Sequence, residues 1–288
     1  MTETVHDDPF PPLGIDLSKP SVARIYDYFL GGTANWTIDR EFADKIIASF
    51  PLVRPIALAN RLFLHRAVRH LVGLGVRQFV DIGAGVPTMG HTHAVADELS
   101  SDSRVVYIDS EPVAVAHSTI LLEQHGDLAR HAAIQGDLRD PDGLWERVAE
   151  TGIIDFSQPI GLLTIAVLHF AQPGPDGVDL GPNVLARYRE LLPSGSYLAL
   201  SHASVDGAAP DAAAGMNALK ASYDKAGNPV IWRTKDEVRE LFGDFELLEP
   251  GIDWTPAWHP EESGPNAPLV ELASPNESAV LAGIGRKP

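Results

Sequence analysis

The chain has 288 residues, no cysteine and a formal charge of −17, from 22 basic and 39 acidic side chains. This balance argues against tight sequence-independent binding to nucleic acid, where neutralised phosphates supply most of the affinity, and against an anionic membrane surface. The absence of cysteine excludes disulfides, thiolate metal sites and cysteine nucleophiles.

A hydrophobic share of 44% suffices for a full core. No stretch approaches transmembrane length, and Met1 to Pro12 lacks a signal-peptide pattern. A soluble cytoplasmic protein is expected. Residues 1–17 are expected to be mobile. A helix is predicted over Ser21 to Leu30, with Val22, Ile25, Tyr26 and Phe29 on one face and Gly31-Gly32 as its stop. Further helices are predicted over Ile38 to Ser49 and Ile56 to Leu74, the latter with Leu64, Val68, Leu71 and Val72 in one stripe. Residues 18–56 would then form a helical arm ahead of a domain over 57–288.

From Gln78 onward, strands and helices alternate. Gln78 to Asp81 reads as a buried strand that ends in an acid and enters the glycine turn Gly83-Ala84-Gly85. A helix over His91 to Leu99 leads to a second strand, Arg104 to Asp109, also ending in an acid. Ser110 is placed to cap a helix carrying Pro112 in its first turn, with Val113, Ala116 and Ile120 facing one way. A third strand, Ala132 to Gln135, precedes Gly136-Asp137, and Asp140-Pro141 opens a helix with Leu144 and Val148 inward. The unbroken apolar run Ile160 to Ala166 suits a strand buried on both faces. A helix over Pro182 to Leu192 follows, then a strand from Ser196 to Ser201 and a helix between Asp211 and Lys225. Thr234 to Glu237 is a capping box. Phe245 to Leu248 and Ala279 to Ile284 read as the last strands, separated by the loop-like Pro250 to Pro275 segment with Trp254 and Trp258. The pattern is that of one α/β domain with a helical N-terminal extension.

In open α/β sheets, ligands bind at the carboxyl ends of the strands, where Asp81 and Asp109 stand. A dinucleotide turn would place a third glycine where Thr88 stands, and a carboxylate beside a pyrophosphate is repulsive. S-adenosylmethionine is phosphate-free and carries a sulfonium and an amino-acid tail. Asp81 suits that tail, and Asp109 suits the two ribose hydroxyls. The alternative for Asp81 is a helix N-cap or a loop brace, and for Asp109 a cap on the following helix.

The run Phe79 to Gly85 resembles the first motif of class I S-adenosylmethionine-dependent methyltransferases, with Asp109 at their second acid and Gly136-Asp137-Leu138 at their third motif. Leu192 to Leu198 is similar to the turn before their fifth strand. Ser21 to Gly32, with Asn35, Asp39 and Arg40, resembles a bacterial methyltransferase-like family first catalogued as a domain of unknown function. The resemblance implies a Rossmann-like seven-stranded methyltransferase sheet with its last strand antiparallel, helices on both faces, and the arm folded over the cofactor.

It also implies a cofactor seat at Asp81, Gly83, Ala84, Gly85, Asp109, Ser110, Asp137, Leu138 and Ala166, with Asp137 toward the adenine amino group and Leu138 on the adenine face. From the arm, Tyr26 or Tyr28 would offer a ring to the sulfonium, Gly31 and Gly32 a close backbone, and Arg24 a cation for the cofactor carboxylate. Packing of the arm is the alternative for Tyr26, and pairing with Asp27 the alternative for Arg24. His169 follows the fourth strand as a candidate base, or as a pocket wall. His91-Thr92-His93 lacks a third ligand nearby, so no metal is expected.

The expected activity is methylation of a small molecule at oxygen or nitrogen, in a pocket between the arm, the fourth-strand edge and the Pro250 to Pro275 segment. A cofactor-binding protein without transferase activity is the alternative. A nicotinamide-dependent oxidoreductase is the weaker one, opposed by Thr88 and Asp81. Neither nucleic acid nor membrane is an expected partner.

Overall fold

The computed structural model describes residues 16–288. Of the segment expected to be mobile, 1–15 lies outside the described residues. The strands are β1 (Gln78–Ile82), β2 (Arg104–Asp109), β3 (His131–Gln135), β4 (Gly161–Ile165), β5 (Tyr197–Ala203), β6 (Glu246–Leu247), β7 (Asp253–Trp254) and β8 (Val280–Arg286). The helices are α1 (Val22–Phe29), α2 (Thr37–Ser49), α3 (Val53–Gly73), α4 (Thr92–Asp97), α5 (Pro112–His125), α6 (Pro141–Glu150), α7 (Gly181–Leu191), α8 (Pro210–Lys225) and α9 (Lys235–Glu240).

The sheet runs β3-β2-β1-β4-β5-β8-β6. β1 to β5 are mutually parallel, and β8 is antiparallel to both β5 and β6. This is the expected seven-stranded sheet with its last strand antiparallel. The short β7 adds an eighth strand by pairing Asp253 and Trp254 with Ala282 and Leu281.

Alternation along the strands divides the core into two layers. Phe79, Val105 and Leu163 face the cluster built on α3 and α4. Val80, Val106 and Leu162 face the cluster built on α6, α7 and α9. A third cluster sits over the carboxyl end of the sheet. It joins Ile25 and Phe29 of α1, Ile46 of α2, Ile56 of α3 and Met216 and Tyr223 of α8 to Ala203 and Val280. Among the described residues, no single helix is long and apolar enough to cross a membrane.

Three details depart from the sequence reading. The α5 stripe is Val113, Ala114, Ser118 and Leu122, whereas Ala116 and Ile120 are exposed. The helix packs on β3 along a different line from the one the apolar residues suggest. Its N-cap is Glu111 rather than Ser110. Lastly, α3 runs without a break through position 56, and its first turn belongs to the arm cluster while its remainder belongs to the sheet.

Candidate functional site

The β1 turn is stitched to the tip of β2. Gly83 and Ala84 donate their amides to the Ile108 carbonyl at 2.8 and 3.1 Å. Asp109 Oδ2 accepts from the Gly85 amide, and its Oδ1 from the Glu111 amide, both at 2.8 Å. Gly83 and Gly85 lie at φ +69° and +67°, and a Cβ on Gly83 would run into the Val167 side chain. The bare backbone is therefore required by both conformation and space at Gly83, and by conformation at Gly85. Asp109 thus braces the turn and holds the amide of Glu111, the N-cap residue of α5, without itself capping that helix. A carboxylate oxygen has two acceptor sites, so each oxygen retains one.

Asp81 is buried and accepts from the Thr92 hydroxyl at 2.7 Å. Burial pushes its carboxyl up to about 6, against the pull of Thr92 and of Arg61. Arg61 is only 7% exposed, its Nε has no hydrogen-bond partner, and its guanidinium lies 5.7 Å from the centre of the Tyr26 ring.

These groups line one cavity of about 690 Å³ at the carboxyl edge of the sheet. It brings together Tyr26, Asp81, Gly83, Ala84, Gly85, Asp109, Ser110, Asp137, Leu138, Ala166 and His169. Ala166 sits at φ +59°, with its amide donated to Ser201 Oγ at 2.9 Å. Asp137 is half-exposed and gripped by Arg139, which holds its carboxyl below the usual range. His169 is neutral, because burial and the nearby His202 and Arg233 press its imidazole down to about 3. Its Nδ1 accepts from the Ala203 amide at 3.4 Å.

Four expected site residues lie elsewhere. The Arg24 guanidinium is sequestered inside the arm, pairing with Asp39 at 2.7 Å and Glu111 at 3.3 Å, with Trp36 against it. Tyr28 points out of the arm, donating to Asp44 at 2.9 Å. Gly31 and Gly32 close α1 as a Schellman turn, their amides donated to the Tyr28 and Asp27 carbonyls at 3.0 and 2.9 Å. They are a helix stop, as read from sequence, and do not line the cavity.

The Pro250 to Pro275 segment does not line it either. Trp258 is fully buried behind α3, edge-on to Phe63 at 5.4 Å, and Trp254 packs on the core from β7. The wall expected from that segment is supplied instead by Met216, Leu219 and Tyr223 of α8 and by Val230 and Trp232 after it. Sequence reasoning also passed over Asn60 and Arg61. Both extend the α3 stripe toward the N-terminus at helical spacing from Leu64, and polar residues on a core stripe were the available signal.

A family model described as S-adenosyl methyltransferase matches residues 10–288. The chain belongs to that family. S-adenosylmethionine is therefore its cofactor. A candidate methyltransferase of Thermobifida fusca YX is 36% identical over 96% of this chain and 98% of its own, with a TM-score of 0.81. A DUF574 family protein of Streptomyces avermitilis MA-4680 is 33% identical over 94% of this chain and 98% of its own, with a TM-score of 0.82. No curated protein matches the chain. The residues present fit the cofactor's chemistry: bare backbone at Gly83, unused acceptor sites on Asp109, and a buried Arg61 whose Nε has no hydrogen-bond partner.

Proposed function

We propose that this S-adenosyl methyltransferase methylates an oxygen or nitrogen of a neutral small molecule by direct displacement, beneath the α1 arm. One observation carries this reading. The charged side chains of the cavity stand at 16–19, on α3 and around the tips of β1, β2 and β3, whereas the part walled by β4, β5, α8 and 227–232 contains no Asp, Glu, Lys or Arg. A charged acceptor would lose its hydration there without compensation.

Bound at the β1 turn, S-adenosylmethionine supplies a methyl carbon activated by its sulfonium. Gly83, Ala84 and Gly85 offer bare backbone, Asp109 the ribose acceptors with Ser110 beside it, and Leu138 an apolar face for the base. Asp137 reaches the base only by loosening its grip on Arg139. His169 serves better as a donor than as the base its position suggested. Its Nδ1 lone pair is used on Ala203, so the neutral ring presents Nε2–H. Alignment of the reacting atoms can supply much of the rate without a base.

The test is calorimetry with S-adenosylhomocysteine, followed by labelled methyl donor with neutral phenols and heteroaromatic amines and their carboxylated counterparts. Binding with turnover of neutral acceptors alone supports the reading. Turnover confined to the carboxylated set overturns the neutral-acceptor reading. Binding with no acceptor turned over favours a cofactor-binding protein.

A further inference from the structure

We propose that His70 of α3, with His259 and Glu262 of the turn that faces it, forms a binding site for a zinc ion that clasps the Pro250 to Pro275 segment to α3. None of the three lines the cavity, so the site is independent of the cofactor seat and of the acceptor. One ligand atom from each residue lies within 4.8 Å of the other two. Donor atoms around a tetrahedral zinc stand roughly 3.5 Å apart, so small side-chain rotations close the set.

Glu262 carries the argument. Its Oε1 is 2.7 Å from His70 Nδ1, but its Oε2 is buried without a hydrogen-bond partner. Leaving a carboxylate oxygen in that state is costly. Arg66 does not relieve it. The Arg66 guanidinium donates to the Trp258 and Thr255 carbonyls and to Ser263 Oγ, and among the described residues it forms no ion pair with Glu262. A divalent cation satisfies the orphaned oxygen and replaces the proton that Glu262 and His70 share. Imidazole nitrogen and carboxylate oxygen are donors that zinc accepts.

The surroundings hold the two rings in place. His70 and His259 stack with centres 4.9 Å apart, and each stands edge-on to the buried Trp258. His259 Nδ1 faces Glu261 Oε1 at 2.6 Å, and its Nε2 faces the Glu249 carbonyl at 2.8 Å. Whichever nitrogen takes the metal, the other keeps an acceptor of the kind that orients metal-bound histidines. The side chains of His70, His259 and Glu262 are 18%, 23% and 29% exposed, which leaves an ion a way in. Between β7 and β8 the described elements are two short 3-10 turns, and the zinc would fix the first of them, Pro260–Glu262, to α3. The expectation of no metal rested on His91 and His93. His70 and Glu262 are 192 residues apart, so spacing in the sequence gives no sign of this set.

The test titrates zinc chloride into the chelator-treated full chain, free of any histidine tag, by calorimetry. Wild type is compared with His70→Gln, Glu262→Gln and His259→Asn, the last because asparagine tolerates the left-handed φ of +44° at that position. The wild type should take up one equivalent in the micromolar range or below. Its melting temperature should rise by about 4 °C at zinc a hundredfold above the dissociation constant. Each variant should bind zinc at least about tenfold more weakly. Cobalt(II) in place of zinc should give the visible absorption of a four-coordinate ion, and His70→Gln should remove it. A wild type that takes up no zinc overturns the proposal, a result that needs no variant to fold. Uptake that is unchanged in a folded His70→Gln or Glu262→Gln variant places the ion at other side chains and overturns it too.

Discussion

Asn60 Nδ2 donates to the Tyr26 hydroxyl at 2.9 Å, while Asn60 Oδ1 accepts from Ser201 Oγ at 2.6 Å. One buried amide on α3 thereby ties the arm to β5. Through Ser201 the chain continues to the Ala166 amide at the tip of β4. Arm, helix and sheet edge meet in a single hydrogen-bonded line along the cavity.

Asn60→Leu should interrupt that line. The Ser201 hydroxyl would lose its acceptor inside the core, a loss of about 1–3 kcal/mol. Thermal unfolding should show a melting temperature lowered by about 2–10 °C. S-adenosylhomocysteine should bind more weakly, because Tyr26 would be anchored only through Ala57. A variant that melts with the wild type would remove Asn60 from the junction.

Asp109→Ala should weaken binding of S-adenosylhomocysteine by about 1–3 kcal/mol, read by calorimetry. The carboxylate holds the Gly85 and Glu111 amides in place and retains one acceptor site on each oxygen, so its loss frees the turn as well as the ribose. Unchanged affinity in a folded variant would place Asp109 outside the seat.

The buried Asp81 carboxyl predicts an unusual pH dependence. Its folded value, raised from 3.8 to about 6, lies above the unfolded one. The protonated group therefore contributes stability that is fully present below about pH 4 and lost as pH rises through about 6, roughly 3 kcal/mol in all. A ligand ammonium favours the charged carboxylate, so binding below pH 6 must expel a proton. Affinity for S-adenosylhomocysteine should rise from pH 5 to pH 7, by at most about tenfold per unit. His65 and His91, both pressed down to about 4 by burial, remain neutral across that range. Asp81→Asn should flatten the profile. An equally steep profile in that variant would assign the proton to another group.

Trp258→Ala should cost about 3–5 kcal/mol of stability and leave S-adenosylhomocysteine affinity unchanged. Trp258 packs on Phe63, and its carbonyl accepts from Arg66 Nε at 2.8 Å, on the side of α3 away from the cavity. Chemical denaturation and calorimetry on the same variant check both halves.

The sheet was legible because its strands are short apolar runs bounded by turn residues. The acids at the tips of β1 and β2 could be read because a charge ending a buried strand has one edge to face. Segments whose partners lie far away in sequence could not be read this way. Trp254 and Trp258 could be read equally as a pocket wall or as a cover for the sheet edge, because the proline-rich stretch around them has no periodicity to show which surface it covers. In the arm, the apolar face of α1 was visible, but its opposite face is also buried: Arg24 and Asp27 are 1% and 2% exposed. Asp27 accepts from Asn35 at 2.8 Å and from Thr88. A helix clasped on two sides hides its polar contacts from a one-face pattern.

Arg24 and Arg61 give the sharpest separation of scaffold from site. Both are buried arginines close to the cofactor edge, but Arg24 is paired while Arg61 Nε is not. Arg24→Ala leaves Asp39 buried without its cation, a change that typically costs about 3–5 kcal/mol. Asp39 also accepts from the Ser21 and Trp36 amides, each at 2.9 Å, so both ends of the α1–α2 junction should loosen. Unfolding should shift accordingly. Wherever the variant is folded, its affinity for S-adenosylhomocysteine should match the wild type, because Arg24 does not line the cavity. A folded Arg24→Ala variant that loses that affinity would place Arg24 in the seat.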